Sequence, residues 1–190
     1  ASVAPIQVFC LGTPRVMCMG ERVWPRRGGG DAKPWELLLF LACQPLEGVS
    51  RSAVVEALWR EPEAMGEDAN HRFRQLRYRL RRQLQQVPNA PSSDGICLNR
   101  RGFRLDPAIV YSDAQEFLTH VRDARVHADP SGPDAITRLE RARALYLSDL
   151  LDGPDARRYA WLDERDDSGV TLREHFRRLF RRARRNGGHR

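Results

Sequence analysis

Hydrophobic positions recur at two spacings along this chain, and the order of the spacings predicts its elements. Apolar and polar residues alternate loosely through "IQVFCLG" and "PRVMCM", which Gly12 to Pro14 join, and "GERVW" follows. A period near two predicts short antiparallel strands, a small sheet ahead of the helices. In "RRGGGDAKPWELLLFLACQ" the alternation stops, and Trp35, Leu37, Leu38, Leu39, Phe40 and Leu41 leave almost no polar side. That stretch predicts a helix with Pro34 in its first turn, running to about Cys43 and placed at the centre of a fold. Ser50 is a good N-cap for "RSAVVEALW", whose Val54, Val55 and Leu58 share one side. After the loop "REPEAMGE", Asp68 reads as an acidic cap at the positive end of a third helix.

The third helix, "NHRFRQLRYRLRRQLQQ", holds six arginines and no acidic residue. At about 100° per residue, Leu76, Leu80 and Leu84 fall within ~60° of Phe73 or beside it, one apolar stripe for the core. His71, Gln75, Tyr78 and Arg82 fall near the opposite pole, flanked by Arg74 and Arg79. A solvated helix usually mixes Glu with its cations for i,i+4 support, so this far face points to a compensating anionic partner. Arg77, at ~40° from Phe73, stands at the edge of the apolar stripe and must either snorkel outward or reflect a slight rotation of the helix. Beyond the turn-rich "VPNAPSSDG", the stretch "ICLNRRGFRLD" alternates, turns at Gly102 and alternates again. It predicts a β-hairpin with Arg100 and Arg101 at its tip. Two helices, a basic third helix and a basic hairpin predict a winged helix-turn-helix, in which the third helix enters the major groove of duplex DNA and the wing reaches phosphates or a narrow minor groove.

The remainder reads as helical. Phe117, Leu118 and Val121 stand at helical spacing in "YSDAQEFLTHVRDARVHA", which "DPSGP" breaks. "DAITRLERARALYLSDLLDG" is expected to begin at a capping Asp134, to carry Ile136, Leu139, Ala142, Leu145 and Tyr146 on one side, and to end at Gly153. "YAWLDERDD" and "VTLREHFRRLFRRARR" follow, and paired helices of this length suggest a tetratricopeptide-like arrangement. In the last helix Leu172, Phe176, Leu179, Phe180 and Ala183 form an apolar stripe with arginines opposite. Three readings stand open for it: packing on helices outside this chain, a dimer contact, or a second phosphate-binding surface.

Charge sharpens the picture by its location. The net charge is +7, yet residues 70–86 contribute +6 and residues 173–190 contribute +7, so the rest of the chain is net acidic. Lys33 is the only lysine, a bias that a G+C-rich coding sequence produces by itself; the clustering, not the arginine content, is what favours a polyanion. Cys10, Cys18, Cys43 and Cys97 show no CxxC or zinc spacing and read as reduced core thiols of a cytoplasmic protein. No apolar run spans a bilayer, and "ASVAP" lacks a signal-peptide core, so no membrane partner is expected. Gly28 to Gly30 with Lys33 lack the GxxxxGK[ST] spacing of a phosphate loop. The histidines His71, His120, His127, His175 and His189 form no HExxH or HxxE pair, and no GxSxG appears. "DERDD" at 163–167 scatters its acids around a helix and reads as a solvated face or a partner for arginines. No catalytic residue, cofactor, metal or small-molecule ligand is expected.

"SRSAVVEALWREPEAMGEDANHRFRQLRYRLRRQL", followed by "RRGFRLD", resembles the OmpR-type winged-helix domain of the antibiotic regulatory protein family of bacterial activators. The resemblance runs from the N-terminal strands through Asp106. It implies that the helix ending in Arg79 to Arg82 is the recognition helix and that Arg101 to Leu105 belongs to the wing; Arg77 departs from it, since the family usually carries an aliphatic residue there. "ALYLSDLLDG" with "WLDERDD" is similar to the bacterial transcriptional activation domain that follows the winged helix in the same regulators. The implied organisation is α+β: a winged helix with a short N-terminal sheet over residues 1–106, then an all-α, tetratricopeptide-like domain over 107–190 in a truncated or minimal form. The implied function is sequence-specific transcription regulation, by an activator that binds direct repeats of double-stranded DNA beside a second copy of itself and contacts RNA polymerase. In that role Arg72, Arg74, Arg79, Arg81 and Arg82 hold phosphates, His71, Gln75 and Tyr78 read base edges, Arg82 is able to do either, and Arg100 and Arg101 anchor the wing. The alternative is a protein-interaction module whose arginines meet an acidic partner.

Overall fold

The structure, a computed structural model, describes residues 3–25, 31–59, 67–126, 129, 132–154 and 159–186. Gly28 to Gly30, His127 and His189 lie outside them, and so does the side chain of Asp68. The chain forms two compact units, one of Ala1–Phe9 with Arg15–Ser112 and one of Cys10–Pro14 with Asp113–Arg190. The architecture is mixed α and β. No helix of the described residues is long and apolar enough to cross a membrane.

In the first unit, β1 (Ile6–Phe9), β2 (Arg15–Cys18) and β3 (Glu21–Trp24) form the expected antiparallel ladders. Ile6 faces Cys18 and Val8 faces Val16, and all four are fully buried, so alternation sets the register as it should in a half-buried sheet. Met19 and Gly20, both left-handed, make the two-residue turn between β2 and β3. The fourth strand is one that periodicity did not announce. Val110–Ser112 adds beside β1 in parallel, Ile6 against Val110 and Val8 against Ser112.

Helix α1 (Lys33–Ala42) begins with Pro34 in its first turn, and Trp35 and Leu37 to Ala42 are all buried. It packs on β1, on α2 (Arg51–Leu58), on α3 (Glu67–Leu84) and on the later hairpin, the central position its apolar circumference requires. Ser50 caps α2 as expected, its Oγ accepting from the Ala53 amide at 3.2 Å. The hairpin consists of β4 (Ile96–Asn99) and β5 (Gly102–Leu105). With the three β-strands before the helices and Val110–Ser112, here β6, these complete the first unit.

The second unit holds α4 (Asp113–Val126), α5 (Pro133–Leu145), a 3-10 turn (Ala160–Leu162) and α6 (Leu172–Asn186). Helix α4 packs on α5, and α5 on α6. Phe117 stacks on Phe176, Tyr146 stacks on Phe180, and Ala124, Ala135, Leu139 and Ala183 close the far end of this core.

Three expectations need correction here. Helix α5 is capped at Gly132, and Asp134 lies inside its first turn without acting as the cap. It also stops at Leu145 instead of Gly153, because the following backbone pairs with residues 10–12: the Leu151 amide donates to Cys10 O at 2.7 Å and the Asp152 amide to Gly12 O at 2.9 Å. A helix would have spent those amides on its own carbonyls. The Asp113 carboxylate holds the same strip, accepting from the Cys10 and Leu11 amides at 2.7 and 3.1 Å. Finally, "YAWLDERDD" is not a helix beyond the single turn at Ala160–Leu162. Asp166 organises a tight turn instead, its Oδ1 accepting from the Ser168 amide and hydroxyl and from the Val170 amide at 2.6–2.9 Å.

Candidate nucleic-acid interface

Helix α3 is oriented by its apolar stripe. Phe73, Leu76, Leu80 and Leu84 are all buried, which turns the opposite pole outward. Outside the stripe His71, Arg74, Gln75, Tyr78, Arg79, Arg81 and Arg82 are exposed, and Arg72 is half-buried. Tyr78 keeps 61% of its surface in water although it is a large aromatic. Its ring and hydroxyl are therefore accessible to a partner, by stacking and by a hydrogen bond. The Gln75 amide nitrogen meets His71 Nε2 at 2.6 Å, and Arg74 Nε donates to Asn70 O at 3.3 Å. The polar groups of this face therefore begin as an ordered row one turn apart.

The hairpin is fixed to the same helix. The Phe103 ring packs on Phe73 with centroids 4.2 Å apart. The backbones of Val49 and Phe103 exchange hydrogen bonds of 2.9 and 2.8 Å, which ties β5 to the residue before the cap of α2. Gly102 makes that approach possible: its φ is +128°, and a Cβ would stand 2.1 Å from Val49 O. At the tip, Asn99 Oδ1 accepts from the Arg101 and Gly102 amides at 2.9 and 3.0 Å while its Nδ2 donates to Glu47 O at 2.8 Å. Arg100 and Arg101 thus project, exposed, from a turn whose backbone is satisfied.

A carboxylate that periodicity could not find organises the middle of α3. Asp94 is completely buried, and Arg77 grips it with two bonds, Nε to Oδ2 at 2.8 Å and Nη2 to Oδ1 at 2.7 Å. Arg77 also donates to Ile96 O at 2.7 Å, and Arg81 Nε reaches Asp94 Oδ2 at 3.3 Å. This settles the position of Arg77: it neither snorkels into solvent nor rotates the helix, but turns toward a buried acid at the start of β4. Arg79 pairs with Asp31 at 2.8 Å, just ahead of α1. Of the arginines expected at phosphates, Arg79 and Arg81 are therefore partly neutralised, while no described carboxylate forms an ion pair with Arg74, Arg82, Arg100 or Arg101. The signal in the sequence was the acid in "SSDG"; its partner lies 17 residues away and on no shared period.

No protein-family model matches the chain, and no curated protein matches it. Among solved structures, that of Mycobacterium tuberculosis EmbR in complex with a low affinity phosphopeptide is similar, with a TM-score of 0.53 at 20% identity. The likeness covers 83% of this chain and 39% of that one. It is a likeness of fold, and the present chain spans well under half of the EmbR chain.

Proposed function

We propose that the protein is a transcription regulator of the antibiotic regulatory protein kind, a binding protein and not an enzyme, that reads duplex DNA with α3. One observation carries the reading. A single exposed face of α3 presents His71, Gln75, Tyr78 and Arg82 opposite a fully buried stripe, with an arginine-tipped hairpin anchored on the same helix through Phe73 and Phe103. In this reading α1 to α3 with β4 and β5 are a winged helix-turn-helix, and α4 to α6 a tetratricopeptide-like activation domain. The EmbR-like fold supports both.

A helix of this diameter fits the major groove, where amide and imidazole groups discriminate base pairs and arginine meets guanine or phosphate. His71, Gln75 and Tyr78 read base edges. Arg72, Arg74 and Arg82 position the helix on phosphates, joined by Arg79 and Arg81, whose side chains keep 50% and 45% exposure beside their carboxylates. Arg100 and Arg101 grip the backbone from the wing. Copies sit side by side on direct repeats, and the helical unit contacts a neighbour or RNA polymerase.

Selection from a randomised duplex library at two salt concentrations tests this reading. A repeated enriched motif is expected. Binding without any motif, collapsing as salt rises, would contradict it. The EmbR structure holds a phosphopeptide, which favours an acidic protein partner as the second reading. A preference for acidic peptide over duplex at physiological salt would support that alternative.

A further inference from the structure

Helix α6 carries a second cationic surface that the proposed reading of α3 leaves unused. Its apolar stripe is satisfied within the unit: Phe176, Leu179 and Ala183 are buried, and Phe180 lies flat on Tyr146 at 4.3 Å. Most of this stripe is thus covered within the unit, with Leu172 and Phe180 half-buried. On the opposite side, Arg178, Arg181, Arg182 and Arg185 follow at i, i+3, i+4 and i+7 and are all exposed. By helical geometry the four lie within about 50° of a common line. None forms an ion pair with a described carboxylate. Glu174, one turn earlier, is engaged by the Thr171 amide at 3.1 Å and by Arg165 at 3.8 Å. Arg177, on the flank, is the contrasting case, held by Asp149.

Two like-charge pairs at i,i+4, Arg178 with Arg182 and Arg181 with Arg185, oppose the helix they stand on. The composition of the face identifies what relieves them. Protein interfaces deplete charge at their centre and bury an apolar or aromatic core. This face has arginine at its centre and no exposed apolar residue among the four. Protein–DNA interfaces are polar and strongly positive, and need no apolar anchor to grip phosphate.

We propose that the outer face of α6 binds the phosphate backbone of duplex DNA, independently of sequence. The inference extends the DNA-binding reading but does not depend on which bases α3 recognises.

The test compares four versions of the 190-residue chain on one duplex of about two helical turns and on a shuffled duplex of equal length, over a series of salt concentrations. They are wild type, the variant R178Q/R181Q/R182Q/R185Q, the corresponding fourfold Arg→Lys variant, and H71A/Q75A/Y78A. Circular dichroism of each checks that the exposed substitutions leave the fold intact. The fourfold glutamine variant should bind both duplexes at least about tenfold more weakly at low salt, and its slope of log K against log salt should shrink by roughly 2–4, near one per lost phosphate contact. Its preference for the selected sequence should be unchanged, and the lysine variant should retain wild-type binding. An unchanged slope on both duplexes would overturn the proposal. Failure of the α3 reading looks different: wild type would then show no sequence preference, while the α6-dependent slope would persist.

Discussion

Helices α3 and α6 are both arginine-rich and amphipathic, and they arrange their cations differently. Both bury a leucine and phenylalanine stripe and turn arginines outward. In α3 the cations are individually placed: Arg77 and Arg81 on the buried Asp94, Arg79 on Asp31, and His71, Gln75 and Tyr78 interleaved among those that remain. In α6 the outer face beyond Glu174 and His175 carries arginine at each step, Arg178, Arg181, Arg182 and Arg185, while Arg177 on the flank is tied down by Asp149. Interleaved donors and acceptors make a surface that can tell one base pair from another, whereas a row of guanidiniums offers donors alone and suits the repeating phosphates of a backbone. Clustered arginine is thus not one signal but two, separated by what stands between the cations and by which of them are already paired.

The two helices should differ most in stability at Asp94. Replacing Asp94 with Ala strands Arg77 against the buried start of β4, and losing one partner of a buried pair costs about 3–5 kcal/mol. Urea unfolding should show that loss, whereas Glu174→Ala on the α6 side should cost far less. Next in size, Gln75→Ala should relax preference at one position of the bound motif by about 1–3 kcal/mol, read from competition between single-base variants of the site. Arg101→Ala should instead weaken all sequences alike and lower the salt slope by about one. Equal losses on selected and random DNA for both substitutions would erase the division between reading and gripping.

The smallest effect lies at the anchor of α6. Arg177 donates to Asp149, which also accepts from the Tyr146 hydroxyl at 3.2 Å, and the Arg177 bonds hold the Asp149 carboxyl below its usual range. A depressed folded value stabilises the fold above the unfolded carboxyl value near ~4 and is lost as pH falls through the folded one. Burial and the charge of Asp149 push the Tyr146 phenol up, so its contribution is present below the unfolded value near ~10 and is lost as pH rises past the folded one. Because the pair is partly solvated, Asp149→Asn should lower stability at pH 7 by no more than about 1 kcal/mol. Thermal melts should show the gap to wild type closing in acid.

Much of the candidate interface was legible because it obeys short periods. The 3.6-residue spacing of Phe73, Leu76, Leu80 and Leu84 fixed which residues of α3 face outward, and alternation around Gly102 placed Arg100 and Arg101 at a hairpin tip. What escaped was long-range. The pairing of Arg77 with Asp94 and the addition of β6 to β1 join residues that no local pattern relates. The early end of α5 has the same origin: Leu147, Leu150 and Leu151 stand at helical spacing, but Leu150 and Leu151 are buried against the strip at Cys10 to Gly12. Asp134 shows the local limit, since a capping residue type one position inside a helix looks the same in sequence as one at its edge.

In the proposed division of labour α3 supplies discrimination and the arginines supply grip. Its most direct test is the ratio of affinities for selected and shuffled duplexes, measured for wild type and for H71A/Q75A/Y78A at one fixed salt concentration. The ratio should fall toward one in the variant while affinity for the shuffled duplex stays at the wild-type level. An unchanged ratio, or an equal loss on both duplexes, would contradict the account.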